Sequence, residues 1–457
     1  MSDWTEQLAT IVPTALEGSI VRVAGMTAWV ADFPAPLGAL VEVERQGGVS
    51  IKAEVIGFHG EQTIVFPFGE MQGVRHGNRV RLRRTRSTIR VGPELLGRVV
   101  DALGRAIDGR PQPTLLERSP LDRKPPSAIE RPRIQTPIST GIRAIDGLLT
   151  CGKGQRMGIF AGSGVGKSVT LGMMARYCTA DVNVIALIGE RGREVNEFIE
   201  RDLGPEGLAR SVVVVATSDE SALIRTRAAF AATAIAEYFR DQGRDVLLVM
   251  DSLTRFALAQ REIGLAAGEP PTTRGFTPSV FALLPRLVER AGRSAQGSIT
   301  AFYSVLVEGD DANEPIADAV RGLLDGHTWL SRKLATRNHY PAIDVLESLS
   351  RLQTEITAAD HREAAGVMRE LLAAYREHED LISIGAYRRG SQRSVDLAID
   401  MLDSMNLYLR QAVNQRSSVE EASAALLQFK ARCVQRVQTQ QQAATPAQRP
   451  AQTAPVR

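Results

Sequence analysis

Apolar and polar positions change rhythm three times along this chain. From Glu17 to about Pro93 the apolar residues come in short β-rich runs, SIVRVAG, TAWVADFP, ALVEVERQGG, SIKAEVIGFHG, QTIVFPFG and NRVRLRR, each broken by glycine or proline. Short strands at close, regular spacing with turn signals between them predict a small closed β-barrel. From about Ile138 to Leu352 the runs RMGIFAG, NVIALIGE, SVVVVAT, DVLLVMD and SITAFYSVLV are almost continuously apolar and alternate with amphipathic stretches such as SVTLGMMARYC and IRTRAAFAATAIAEYFRDQG. Strands without polar alternation belong to a parallel sheet covered on both faces, so this stretch predicts a doubly wound α/β domain. From His361 to about Val437 the period is helical, as in HREAAGVMRELLAAYREHEDL and SVDLAIDMLDSMNLYLRQ, and predicts a small bundle carried on the core.

The joints follow from composition. In Met1 to Thr14, Trp4, Leu8, Ile11 and Val12 fall on one helical face with Asp3 as N-cap, an amphipathic arm that either docks a partner or packs on its own chain. LLGRVVDALGRAIDG is followed by a segment dense in proline, which denies a long helix and predicts an extended connector. The last residues, rich in Gln, Ala, Thr and Pro, bury no core and predict a disordered tail. The expected layout is an arm over 1–16, a barrel over 17–93, a connector over 94–137, a nucleotide-binding domain over 138–360, helices over 361–437 and a tail over 438–457.

Composition narrows the class. The chain has 457 residues and a net charge of only +3, so nothing global argues for nucleic acid. Arg81, Arg83, Arg84 and Arg86 read as a solvated strand edge, and the barrel's aromatics show no paired surface pattern with basic neighbours, which favours a structural collar. Three cysteines without CxxC spacing exclude a disulfide framework and a cysteine zinc site and fit a reducing cytosol. No apolar run reaches membrane-spanning length and no signal-like segment opens the chain, so a soluble protein that stays inside the cell is expected.

The chemistry gathers at Gly158 to Ser168, GIFAGSGVGKS, a buried strand running into a glycine-rich turn and a helix. Backbone N–H groups of such a turn converge on an anion, Gly162, Gly164 and Gly166 let phosphate approach without a Cβ in the way, and the helix presents its positive end there. In this pattern Lys167 reaches the β/γ-phosphates and Ser168 ligates Mg²⁺. The predicted nucleotide-binding segment comprises Gly162, Ser163, Gly164, Val165, Gly166, Lys167, Ser168 and Val169. The usual leading glycine is replaced by Ala161, and an ordinary Gly-rich turn is the bland alternative.

Two strands end in carboxylates. VLLVMD ends in Asp251, where an acid beside the phosphate loop can hold the Mg²⁺ hydration shell; alone it reads more often as a cap, and its pairing with Lys167 and Ser168 favours the functional reading. IGERGREVNEF begins with a strand end at Glu190, on the side where ligands bind in open α/β sheets, and Glu190 is the candidate to orient an attacking water. Arg193 and Glu197 read as a solvated helix start. Arg351, in ESLSRL, leaves the domain at its far end and is poorly placed for its own site. It reads as a surface arginine or as a guanidinium supplied in trans, which is worth about 10³ to 10⁵-fold in phosphoryl transfer.

The run from about Leu95 to Tyr387 resembles the catalytic subunits of rotary ATP synthases, more closely the type III secretion ATPases, and leans to the flagellar export ATPase. The resemblance is carried by LLGRVVDALGRAIDG, TPISTGIRAIDGLLTCGKGQRMGIFAGSGVGKS, IGERGREVNEFIE, AIAEYFRDQGRDVLLVMDSLTRFALAQREI, GEPPTTRGFTPSVFALLPRLVERAG, GSITAFYSVLVEGDDANEPIAD, LDGHTWLSRKLA and HYPAIDVLESLSR. It implies an N-terminal barrel, a RecA-like P-loop NTPase core, C-terminal helices and ATP hydrolysis with Mg²⁺. It makes Gly162 to Ser168 the phosphate loop, Glu190 the catalytic carboxylate, Arg191 its neighbouring active-site arginine and Asp251 the acidic strand end. It makes Tyr340 of HYPAID the tyrosine that packs on adenine, a residue that reads equally as core on its own, and Arg351 the arginine given to the adjacent subunit.

The resemblance further implies a homohexamer, with every interface catalytic because Glu190 and Arg351 share one chain. Implied partners are a dimeric stator-like regulator on Met1 to Thr14, a central stalk protein, a membrane export gate, and export substrates or chaperones near the C-terminal helices. The implied place is the cytoplasm, peripherally at the inner-membrane export apparatus. Alternatives are a virulence-type secretion ATPase, a rotary-synthase subunit working beside a non-identical partner, and a hexameric RNA translocase of the transcription-terminator kind, which needs exposed aromatics and a basic groove in its N-terminal fold.

Overall fold

The computed structural model describes residues 16–307, 309, 311 and 314–444. The predicted N-terminal arm and the tail beyond Ala444 lie outside the described residues. Six strands, β1 (Glu17–Ala24), β2 (Thr27–Ala31), β3 (Leu40–Glu44), β4 (Ser50–His59), β5 (Gln62–Pro67) and β6 (Arg79–Arg84), close a barrel in the order β1-β2-β5-β4-β3-β6. Alternation makes the barrel: in β3 Val41 and Val43 are buried inside while Glu42 and Glu44 face outward. The expectation of a solvated arginine edge is corrected here. β6 pairs with both β1 and β3, so there is no edge; Arg81 and Arg83 remain solvated, 38% and 51% exposed, but pair with acids on the neighbouring strands, Arg81 donating to Glu17 at 2.6 Å and lying 3.3 Å from Glu44, and Arg83 pairing with Glu42.

The connector also differs from expectation, because part of it is core. Its first stretch forms β7 (Arg98–Asp101), which pairs in parallel with β10 of the central sheet, and Glu117–Pro120 pairs with Thr88–Val91. A four-residue strand inside a glycine-punctuated run has too little periodicity to be read alone.

The central sheet contains β7 with β8 (Arg156–Ala161), β9 (Val182–Ile188), β10 (Ser211–Ala216), β11 (Asp245–Asp251), β12 (Ser298–Leu306), β13 (Gly326–Leu330) and β14 (Ile343–Ser350), ordered β14-β13-β8-β12-β11-β9-β10-β7. All neighbours are parallel except β13 and β14. Every residue of β9 is buried, and successive residues serve opposite faces: Val184, Ala186 and Ile188 join one apolar cluster and Ile185 and Leu187 the other. Helices α1 (Lys167–Tyr177), α2 (Ala222–Asp241), α3 (Leu253–Ala266) and α4 (Pro278–Val288) belong to this domain.

Helices α5 (Ala359–Ser383), α6 (Arg393–Leu409) and α7 (Val419–Ala444) follow. They sit on the cluster that contains Ile185, through Met368, Met405 and Phe429. The helix over Arg143–Leu148 is their anchor. A Cβ on Gly147 would stand 1.8 Å from the Tyr408 hydroxyl, so only glycine lets α6 approach this closely. Arg143 donates to the carbonyls of Tyr408, Leu407 and Arg410 at 2.6, 2.9 and 2.6 Å, placing a cation on the orphan carbonyls at the end of α6. The last helix passes the expected boundary at 437 and runs to Ala444, because Gln and Ala are good helix formers whether or not they bury a core.

Candidate active site

The phosphate loop follows β8 and turns into α1. Gly164 and Gly166 have φ of 77° and 90°, left-handed backbone that glycine adopts without strain. Ser163, Gly164 and Ser168 are exposed at the mouth, while Lys167 turns inward. Its ammonium donates to Asp251 Oδ1 at the end of β11 and lies 3.5 Å from Glu190 Oε1 after β9. Three carboxyl ends of the parallel sheet thus meet at one lysine, at the position where open α/β sheets bind ligands.

The electrostatics follow from burial. The side chains of Lys167 and Asp251 are 12% and 4% exposed. Burial alone would lower the Lys167 pKa, but the carboxylates of Asp251 and Glu190 outweigh it and hold the ammonium above its ordinary value. Burial pushes the Glu190 carboxyl up; the Lys167 charge opposes this and the Asp251 charge adds to it.

Two residues that sequence reasoning missed complete the cluster. Ser304 on β12, the strand between β8 and β11, donates to the same Asp251 oxygen at 2.5 Å. Arg255, in the first turn of α3, packs its Cβ 3.0 Å from where a Cβ on Gly189 would stand, and its Nε is buried without a hydrogen-bond partner. Its charge acts to lower the Glu190 pKa. The only signal for Ser304 was a hydroxyl in the otherwise apolar FYSVLV, and for Arg255 a cation four residues after the strand end at Asp251.

The other expected site residues divide. The Tyr340 ring lies 3.5 Å from where a Cβ on Gly166 would stand, and the residue is 41% exposed, an aromatic face beside the loop rather than in the core. Arg191 is outside the cluster: its side chain is 81% exposed and bonds Glu194 at 3.2 Å. Arg351 is at the other end of the sheet. β14 runs against β13, with Ile343 beside Leu330 and Ser350 beside Gly326, while Leu330 lies level with Ala161 at the phosphate-loop end. At about 3.3 Å per residue this puts Arg351 on the order of 15 Å from the loop, too far for its own site.

The oxygen donors of Ser168 and Asp251 suit Mg²⁺. Among the described residues no group of three or more His, Cys, Asp or Glu gathers to hold a metal.

Residues 141–350 match the ATP synthase alpha/beta family, nucleotide-binding domain, and residues 357–428 the T3SS EscN ATPase C-terminal domain. The flagellum-specific ATP synthase of Bacillus subtilis strain 168 is 52% identical over 411 residues, 90% of this chain and 94% of that protein. The chain belongs to the ATP synthase alpha/beta family, in its type III secretion and flagellar ATPase branch. The type 3 secretion system ATPase of Xanthomonas euvesicatoria is 53% identical over 415 residues, 91% of this ATPase and 94% of that protein. The structure of the assembled ATPase EscN from the enteropathogenic E. coli type III secretion system aligns with a TM-score of 0.86 at 45% identity, covering 90% of this chain and 99% of that one. EscN in complex with its central stalk EscO aligns with a TM-score of 0.84. As a member of this family the ATPase binds and hydrolyses ATP. No helix among its described residues is long and apolar enough to cross a membrane.

Proposed function

We propose that this ATPase hydrolyses ATP with Mg²⁺ to energise type III protein export, flagellar by its resemblance, as a homohexameric ring whose active sites are completed between subunits. The observation that carries the reading is the division of the machinery: Lys167, Glu190 and Asp251 share one cluster, and Arg351 of the same chain is at the opposite end of the sheet. A closed ring brings one chain's Arg351 to the next chain's cluster, and every interface is then equivalent.

In this mechanism the backbone N–H groups of the loop and Lys167 take the phosphates, drawing the ammonium from Asp251 toward phosphate oxygen. Asp251, oriented by Ser304, and Ser168 would hold Mg²⁺, which supplies charge neutralisation on the β/γ-oxygens. Glu190 orients a water in line with the γ-phosphorus. The bond from the γ-phosphorus to the β/γ-bridging oxygen breaks as the water oxygen bonds, yielding ADP and phosphate, while the neighbour's Arg351 takes up charge on the transferring group. Tyr340 packs on the adenine. A stalk protein in the ring's centre, a stator-like regulator on residues 1–14, and an export gate with substrates or chaperones at the C-terminal helices complete the assembly, in the cytoplasm at the inner membrane. EscN's solved complex with a central stalk supports the stalk by family likeness.

The test is ATPase activity per chain against protein concentration, with Mg²⁺ and no nucleic acid. Specific activity that climbs steeply with concentration supports sites completed by assembly. Flat activity near zero at all concentrations, rescued by RNA or by a second subunit type, overturns it.

A further inference from the structure

A cavity of about 650 Å³ opens where the barrel meets the core, lined by none of Lys167, Glu190, Asp251 or Tyr340. Val55 and Ile56 of β4 form one wall, and Leu223 and Phe230 of α2 with Ile263 of α3 form the other. Its size and its place between two domains are those of small-molecule sites, which combine apolar walls with a few convergent polar groups.

The polar groups here are unbalanced toward positive charge. Arg227 of α2 has a side chain only 7% exposed; it donates to the Ser87 hydroxyl and to the Thr88 carbonyl at 3.2 Å, while its Nε is buried with no hydrogen-bond partner. Glu54 of β4 faces it across 3.7 Å, beyond hydrogen-bond range. Burial pushes the Glu54 carboxyl up to about 7, the Arg227 charge opposing, so near neutral pH it offsets the arginine only in part. At the mouth Arg86, Lys124 and Arg286 are exposed and make no ion pair among the described residues, against the single exposed acid Asp122, while Glu289, the remaining lining acid besides Glu54, pairs with Arg131 and Arg156. An apolar chamber with a buried, under-satisfied guanidinium and a cationic mouth disfavours neutral polar solutes and favours a molecule with an apolar body and one anionic head.

We propose that this cavity binds a small amphipathic anion, an acyl or aromatic carboxylate or sulfonate, that touches barrel and core at once. Because the occupant contacts both β4 and α2, it ties the two domains together.

The probe is 8-anilinonaphthalene-1-sulfonate, followed by fluorescence on the full chain saturated with ADP, with dodecanoate as competitor. One saturable site per chain, displaced by dodecanoate, is expected. Leu37, 65% exposed at the mouth, and Arg286 are surface positions, so Leu37→Glu and Arg286→Glu keep the fold. Each is expected to weaken the probe at least tenfold while leaving circular dichroism and ATPase activity at their unmodified levels. Binding that does not saturate at one per chain, that dodecanoate fails to displace, or that neither substitution weakens overturns the proposal.

Discussion

Asp251 answers to two partners on one oxygen, the Lys167 ammonium and the Ser304 hydroxyl, and is nearly removed from solvent. Burial raises the affinity of the neighbouring Glu190 for a proton, which supports its proposed role at the attacking water. Glu190→Gln keeps the shape and the Lys167 contact but cannot accept a proton. Hydrolysis is expected to fall by roughly 10²- to 10⁴-fold with nucleotide affinity within a few-fold of the unmodified chain, as read by single-turnover assay and by nucleotide titration. Equal losses in binding and turnover would assign Glu190 to binding instead.

Glu54 makes a second residue-scale case. Its pKa of about 7 lies above the ordinary 4.5, so the folded chain binds the proton more tightly than the unfolded one. Its contribution is present below about pH 4.5 and is lost as pH rises through 7, at most about 3 kcal/mol at about 1.4 kcal/mol per tenfold change in proton affinity. Buried Asp146, also raised to about 7, adds a parallel slope. Glu54→Gln is expected to raise Tm at pH 8 and to flatten, but not abolish, the fall in Tm between pH 6 and 8. An unchanged slope would contradict the burial of this carboxyl. The phosphate loop and the two strand-end carboxylates were legible from residue type and position. Ser304 and Arg255 were not, because what recruits them is which strand lies between β8 and β11 and what packs on Gly189, facts of sheet order and approach that one sequence does not carry.

At the scale of elements, the site is coupled to the C-terminal helices through Gln411, just past α6. Its N–H donates to the Tyr340 carbonyl at 3.0 Å, its Nε2 to the Gly141 carbonyl at 2.7 Å, and its Oε1 accepts from the Arg143 N–H at 2.8 Å. One buried residue therefore ties the segment entering the core, through its side-chain amide, to the loop carrying Tyr340, through its backbone N–H, at the end of α6. Gln411→Ala removes the side-chain bonds and leaves the backbone bond to Tyr340. KM for ATP is expected to rise by about tenfold, the equivalent of about 1.4 kcal/mol, with kcat within a few-fold. A change in Tm with KM untouched would reduce Gln411 to a structural tie. The alternation of barrel strands and the apolar runs of the parallel sheet were readable because burial on one face or two leaves a periodic signature. β7 was not, since four residues paired at a sheet edge leave none, and the end of α7 was not, since Gln and Ala extend a helix without an apolar stripe to mark it.

For the whole molecule, the decisive fact is a distance within one chain: Arg351 leaves β14 at the amino end of the parallel sheet, and Lys167 stands at the carboxyl end. The sequence placed Arg351 at the far end of its domain, but only strand direction turns that into a separation. In the proposed ring Glu190 and Arg351 come from the same chain, so every interface of like subunits would carry both. The most direct measurement is complementation. Arg351→Ala and Lys167→Ala chains, each inactive alone, are mixed in equal amounts at ring-forming concentration and assayed for ATP hydrolysis. Random assembly leaves an intact loop facing an intact arginine at about one interface in four, so activity near a quarter of the unmodified ring is expected. A mixture no more active than the sum of its separate components would contradict the shared site.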